Sequence, residues 1–125
     1  MSLTPLSALS PVDGRYASRC AELRELFSES GLIRARVRVE IAWLHALGGP
    51  TGLPEMQGLT AADLAAADRV AARFGAGDAT EVKAIERETN HDVKAVEYFI
   101  KRRLEGQPGW RPRLEFVHFA CTSED

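Results

Sequence analysis

The sequence predicts an all-α fold. Nearly every apolar segment repeats at helical spacing, glycine and proline punctuate the stretches between them, and strand-like alternation is scarce. Any sheet is expected to be no larger than a short hairpin, and the 125 residues are read as one domain, 1–125.

Residues 1–16 hold Pro5, Pro11, Gly14 and small polar residues without periodicity, which predicts a loop or extended arm. The remainder, 17–125, is read as helices. Over 17–27, Cys20, Leu23, Leu26 and Phe27 fall on one helical face. Over 31–47, Arg34, Arg36 and Arg38 alternate with Val37 and Val39 as in a strand. Ile33, Val37, Ile41, Leu44 and Leu47 nevertheless carry the helical spacing past the alternation, and Gly48-Gly49-Pro50 ends it. GGPTGLPEMQG is a loop, after which Thr60-x-x-Asp63 has the form of a capping box opening an alanine-rich helix over 60–74. Gly75 to Asp78 restarts the chain for a helix over 79–88 marked by Val82 and Ile85. Thr89-x-x-Asp92 is expected to cap a helix over 92–104 built on Val93, Val96, Phe99, Ile100 and Leu104. Gly106 to Pro112 is a turn, and the apolar segment LEFVHFA predicts a last helix over 113–120. The following Thr-Ser-Glu-Asp is a helix-start signal with no helix after it, so the chain is expected to be cut after Asp125.

The composition, 45% hydrophobic and 27% charged, is that of a soluble globular unit. A net charge of −2 and a pI of about 5.9 give no global reason to expect nucleic acid or an anionic membrane as partner. No stretch approaches the roughly 20 apolar residues of a membrane span, and the N-terminus lacks the pattern of a secretory leader, so a cytoplasmic protein is expected. Cys20 and Cys121 lack the spacing of a metal site or disulfide framework and are read as free thiols.

Three stretches carry more polarity than their positions need. A helix start leaves backbone N–H groups unpaired and bears partial positive charge, so it attracts anions. At 89–92, Thr89, Asn90 and Asp92 are suited to capping such an end. His91 is not needed for capping, and an imidazole beside a carboxylate suits proton transfer or carboxylate recognition. In Ser10-Pro11-Val12-Asp13-Gly14-Arg15-Tyr16, a turn presents Arg15 and Tyr16 in a form suited to phosphate, or simply leaves a solvated arginine. In Phe119-Ala120-Cys121-Thr122-Ser123, two hydroxyls reach a helix start, where they cap or bind a carboxylate. Lys101-Arg102-Arg103 is read as a solvated helix face. His45 and His118 are read as packed, satisfied histidines, and Trp43 and Trp110 as core or interface residues.

Together, SPVDGRY, TNHDVKAVEYF and EFVHFACTSED, in this order over the whole chain, resemble the bacterial adenylosuccinate lyases of the fumarase/aspartase superfamily. The resemblance implies release of fumarate from adenylosuccinate, giving AMP, and from succinyl-aminoimidazole carboxamide ribotide in purine biosynthesis. It implies that Arg15 and Tyr16 grip the substrate phosphate, that Asn90, His91 and Asp92 line the nucleotide and succinyl region, and that Thr122 and Ser123 bind a carboxylate of the leaving fumarate. His91 is given a supporting role. The family's principal acid, a histidine, and its base, a serine, lie in regions absent from these residues, as does the long-helix bundle that builds the homotetramer. The chain is therefore expected to be the N-terminal helical domain, roughly the first quarter, supplying binding residues and inactive alone, with no metal or cofactor. A helical interaction module whose polar clusters are only caps, and an argininosuccinate lyase, which has no phosphate to bind, are the other readings.

Overall fold

The computed structural model describes residues 4–123. Glu124 and Asp125, with the expected cut after them, lie outside the described residues. Among the described residues, five α-helices follow one another: α1 (Ala21–Phe27), α2 (Glu29–Leu47), α3 (Ala61–Ala72), α4 (Ala76–Thr89) and α5 (Asp92–Leu104). Short 3-10 helices occupy Pro54–Met56 and Arg111–Phe116, and no strand occurs among the described residues. The all-α class is as the sequence predicts. The chain divides into two compact units, one up to Leu32 and one from Ile33 onward.

In the first unit, the arm expected over 1–16 extends as successive turns to Cys20, with Tyr16 N–H donating to Pro11 O and Cys20 N–H to Tyr16 O. The helix expected over 17–27 is therefore shorter, Ala21–Phe27. Nothing in the sequence supplies a cap at its start, and Cys20 makes no side-chain capping bond. The Asp13 carboxylate ties the preceding loop by accepting from Ser10 N–H (2.7 Å) and Leu9 N–H (3.3 Å). Those bonds, the one from Ser10 foremost, hold its carboxyl below the usual carboxylate range. No residue of α1 is buried.

The second unit holds the core. One stripe of α2 (Ile33, Val37, Ile41, Leu44) and one of α5 (Val96, Phe99, Ile100, Leu104) are buried in a cluster with Val82 and Ile85 of α4. The helix start at Thr60 is the expected capping box: Thr60 Oγ1 accepts from Asp63 N–H (3.2 Å) while Asp63 accepts from Thr60 N–H (2.9 Å). Helix α4 begins three residues earlier than the expected 79, because Asp78 reaches back to accept from Gly75 N–H (2.9 Å) and so draws the intervening turn into the helix. Trp110, fully buried, donates from Nε1 to Asp63 O (2.7 Å) and so ties the turn after α5 to the start of α3. That approach depends on Gly109, where any Cβ would lie 2.3 Å from the Asp63 carboxyl.

Two expectations are corrected. The helix expected over 113–120 is a 3-10 helix over Arg111–Phe116, followed by residues with left-handed backbone. Nor is Lys101-Arg102-Arg103 simply a solvated face. Arg103 donates to Asp78 (2.9 Å) and Glu81 (2.6 Å) of α4 and lies 4.5 Å over the Phe99 ring. Lys101 bonds Glu97 (2.9 Å), which is buried. Burial pushes the Glu97 carboxyl up, but Lys101 and Lys94 outweigh it and leave it below its ordinary range.

Candidate functional site

The joint between α4 and α5 is two residues, Asn90 and His91, and Asn90 takes the left-handed conformation (φ 53°, ψ 34°) that asparagine tolerates better than most side chains. Thr89, expected to cap α5, is instead the last residue of α4, and its hydroxyl donates to His91 O (3.1 Å). His91, expected to be spare, is the cap: its Nδ1 accepts from Lys94 N–H (3.1 Å). A ring nitrogen that accepts carries no proton, so the capping imidazole bears its proton on Nε2 and presents that N–H outward. Asp92 is 3.8 Å from the same Nδ1, but it is engaged elsewhere, accepting from Val93 N–H (2.9 Å) and pairing with Arg36 (2.8 Å). The Val93 N–H first, and then the Arg36 guanidinium, hold the Asp92 carboxyl below its usual range.

Opposite this joint runs the segment 117–123. His118 and Ala120 both have positive φ (62° and 59°), unusual for residues with a side chain. Helix α2 holds them there. Buried Glu40 accepts from His118 N–H (3.1 Å) and from the His118 ring, and Trp43 Nε1 donates to Phe119 O (2.8 Å). His118 is thus a satisfied histidine, as expected, and His45 is bonded to Asp68 (2.7 Å). The segment delivers Ser123 Oγ to 3.5 Å from His91 Nε2. Ser123 and Thr122 line a cavity of about 400 Å³ whose walls include Arg36, Glu40, Trp43, Val93 and Val96. A ligand there would meet an apolar floor, the Arg36 and Glu40 side chains and, at one end, the Thr122 and Ser123 hydroxyls, the latter beside the His91 imidazole.

Of the residues singled out in the sequence, the structure brings together Asn90, His91, Asp92, Thr122 and Ser123 in the second unit. Arg15 and Tyr16 belong to the first. There the Arg15 guanidinium lies 4.7 Å from the centroid of the Tyr16 ring, with Arg19 on the same ring at 6.0 Å. Two cations beside a phenol hydroxyl suit an anionic group such as phosphate. Sequence reasoning missed Arg19, Arg36 and Glu40. Arg36, Glu40 and Trp43 recur at i, i+4 and i+7, so a polar line beside the apolar stripe of α2 was there to be found.

No family model matches the chain. Among curated proteins, the adenylosuccinate lyase of Vibrio cholerae is 49% identical over all 125 residues, that of Escherichia coli (strain K12) 47% and that of Legionella pneumophila (strain Corby) 39%. Each alignment takes in the whole chain and 27% of the relative, so the chain spans about a quarter of the length of these relatives.

Proposed function

We propose, for a chain that belongs to the adenylosuccinate lyase family, that its residues form the substrate-binding part of a fumarate-releasing enzyme. In the full-length enzyme, a cytoplasmic homotetramer on this reading, the substrates are adenylosuccinate and succinyl-aminoimidazole carboxamide ribotide, and the products are fumarate with AMP or the corresponding carboxamide ribotide. The observation that supports this best is the placement of Ser123 Oγ against His91 Nε2 at the cavity that Thr122 shares. Capping explains the Nδ1 side of His91 but not a hydroxyl facing its other nitrogen, which separates this reading from an interaction module with capped helices.

Abstracting a proton next to a carboxylate builds negative charge on that carboxylate. Neutral donors aimed at it stabilise the transition state more than the ground state. The Thr122 and Ser123 hydroxyls and the His91 Nε2–H are such donors, and none of them brings a full charge that would bind the ground-state anion equally well. Asn90 and Asp92 flank them, and Arg15 and Tyr16 take the phosphate.

Two substitutions in a full-length lyase carrying this sequence test the assignments. Ser123→Ala removes a donor that also holds the ground-state carboxylate but is worth most in the transition state, so kcat should fall about 100-fold while KM rises, and inhibition by fumarate weakens, by no more than about tenfold. Arg15→Ala removes a phosphate contact made equally in both states, a loss of about 1.5–3 kcal/mol. KM should then rise by roughly one to two powers of ten with kcat nearly constant. Steady-state kinetics showing the opposite split for either variant would take that residue out of its role.

A further inference from the structure

We propose that Glu40 is a positioning residue for the fumarate end of the site: by holding His118, its carboxylate sets the Thr122 and Ser123 hydroxyls against His91. This rests on the binding role given above to Thr122 and Ser123, and it adds a residue from another helix, in the wall of the same cavity, that acts on the hydroxyls through His118.

The geometry is that of a two-point anchor. Glu40 is 7% exposed, and its two oxygens are divided between the backbone N–H and the ring of one residue, His118. A buried carboxylate is costly unless its lone pairs are met, and here both are met by a single residue 78 positions away. That residue and Ala120 have left-handed backbone, which side-chain-bearing residues leave unless the surroundings hold them. Trp43 adds a second fixed point at Phe119 O. From the anchored His118, the chain needs only five residues to reach Ser123, so its φ and ψ decide where the hydroxyls point. Release of His118 to the ordinary negative-φ region would swing the segment, and with it the 3.5 Å approach of Ser123 Oγ to His91 Nε2. The phosphate contacts are assigned to Arg15 and Tyr16 of the first unit, so on this reading the consequence is selective: the carboxylate contacts lose their form while the phosphate contacts are not expected to.

Product inhibition of a full-length lyase carrying this sequence separates the two ends, with fumarate reporting one and AMP the other. Glu40→Ala should weaken inhibition by fumarate about tenfold and leave inhibition by AMP within twofold. Glu40→Gln keeps an acceptor for the His118 N–H, so it should restore most of the fumarate affinity and lie within about threefold of the parent. Equal weakening toward both products, or toward neither, would overturn the proposal, because a general packing role has no reason to distinguish them. If the alanine variant does not fold, Glu40→Leu, which fills the space but offers no acceptor to the His118 N–H, decides: selective weakening toward fumarate supports the proposal and its absence overturns it. Ser123→Ala serves as the control on the underlying role. A loss of fumarate inhibition there, with none in either Glu40 variant, removes only Glu40; no loss in Ser123→Ala removes the carboxylate site and the proposal with it.

Discussion

Replacing Trp110 by alanine should destabilise the second unit by about 4–5 kcal/mol, the upper part of the range for removing a buried aromatic. Three losses combine. The indole is fully buried, so its removal leaves a large cavity. Its Nε1–H no longer reaches Asp63 O, which loses a 2.7 Å bond in a buried setting. The Gly109 turn, shaped to let the indole approach Asp63, loses one of its ties and keeps the Arg113 bond to Gly109 O (2.7 Å). The site could relax only by moving the α3 start, which the Thr60–Asp63 capping box resists. Domains of this size are stable by about 5–15 kcal/mol, so the variant should be mostly unfolded at moderate denaturant and marginal in water. Urea unfolding followed by circular dichroism measures the loss directly. A change below about 2 kcal/mol would mean that neighbours collapse into the space and that Trp110 is not the tie between α3 and the turn after α5.

The 125-residue chain alone should show no lyase turnover. The elimination requires a base for a carbon-bound proton and an acid for the leaving nitrogen, each worth typically 10²–10⁴-fold. The candidates in the cluster are otherwise employed. His91 cannot act as the base toward Ser123, because its Nδ1 is the helix cap and its Nε2 therefore carries the proton. Asp92 is paired with Arg36 and held low, so it is a weak base. Donation of the Nε2 proton to the leaving nitrogen is the one route left, and it supplies an acid without a base. Incubation with adenylosuccinate, with AMP formation followed against a buffer control, checks this. Turnover that survives repurification and vanishes in His91→Ala would overturn the expectation and make His91 the principal acid.

Helix α5 shows where local pattern suffices. Its range, 92–104, matches the expectation because a strong apolar period and a sharp start coincide. Its cap was misread all the same: histidine is not a usual capping residue, so Thr89 seemed the better choice, but α4 runs through Thr89 to the left-handed Asn90 and the cap falls two residues later, on His91. The segment after Phe116 shows where local pattern fails. LEFVHFA is apolar enough for a helix, but its backbone is set by Glu40 and Trp43, which lie 78 and 76 positions earlier. Nothing nearby in the sequence signals such contacts. The candidate residues stood out in the sequence for a different reason: Asn90, His91, Asp92, Thr122 and Ser123 are polar where a helix start or an apolar run did not require so much polarity. The spacing of Arg36 and Glu40 marks a common face of α2, but a charged residue on a long helix is most often solvated, and only the folded α2 shows that these two line the cavity.

The Glu40 anchor also has a bearing on how the protein is made. A ribosome adds about 5–20 residues per second, so the 78 positions between Glu40 and His118 correspond to roughly 4–16 s of synthesis. Through that interval α2 exists with its acidic anchor and its Ile33, Val37, Ile41 and Leu44 stripe but without residues 117–123, and for most of it without α5. The hydroxyl-bearing segment is thus translated well after the helix onto which it docks.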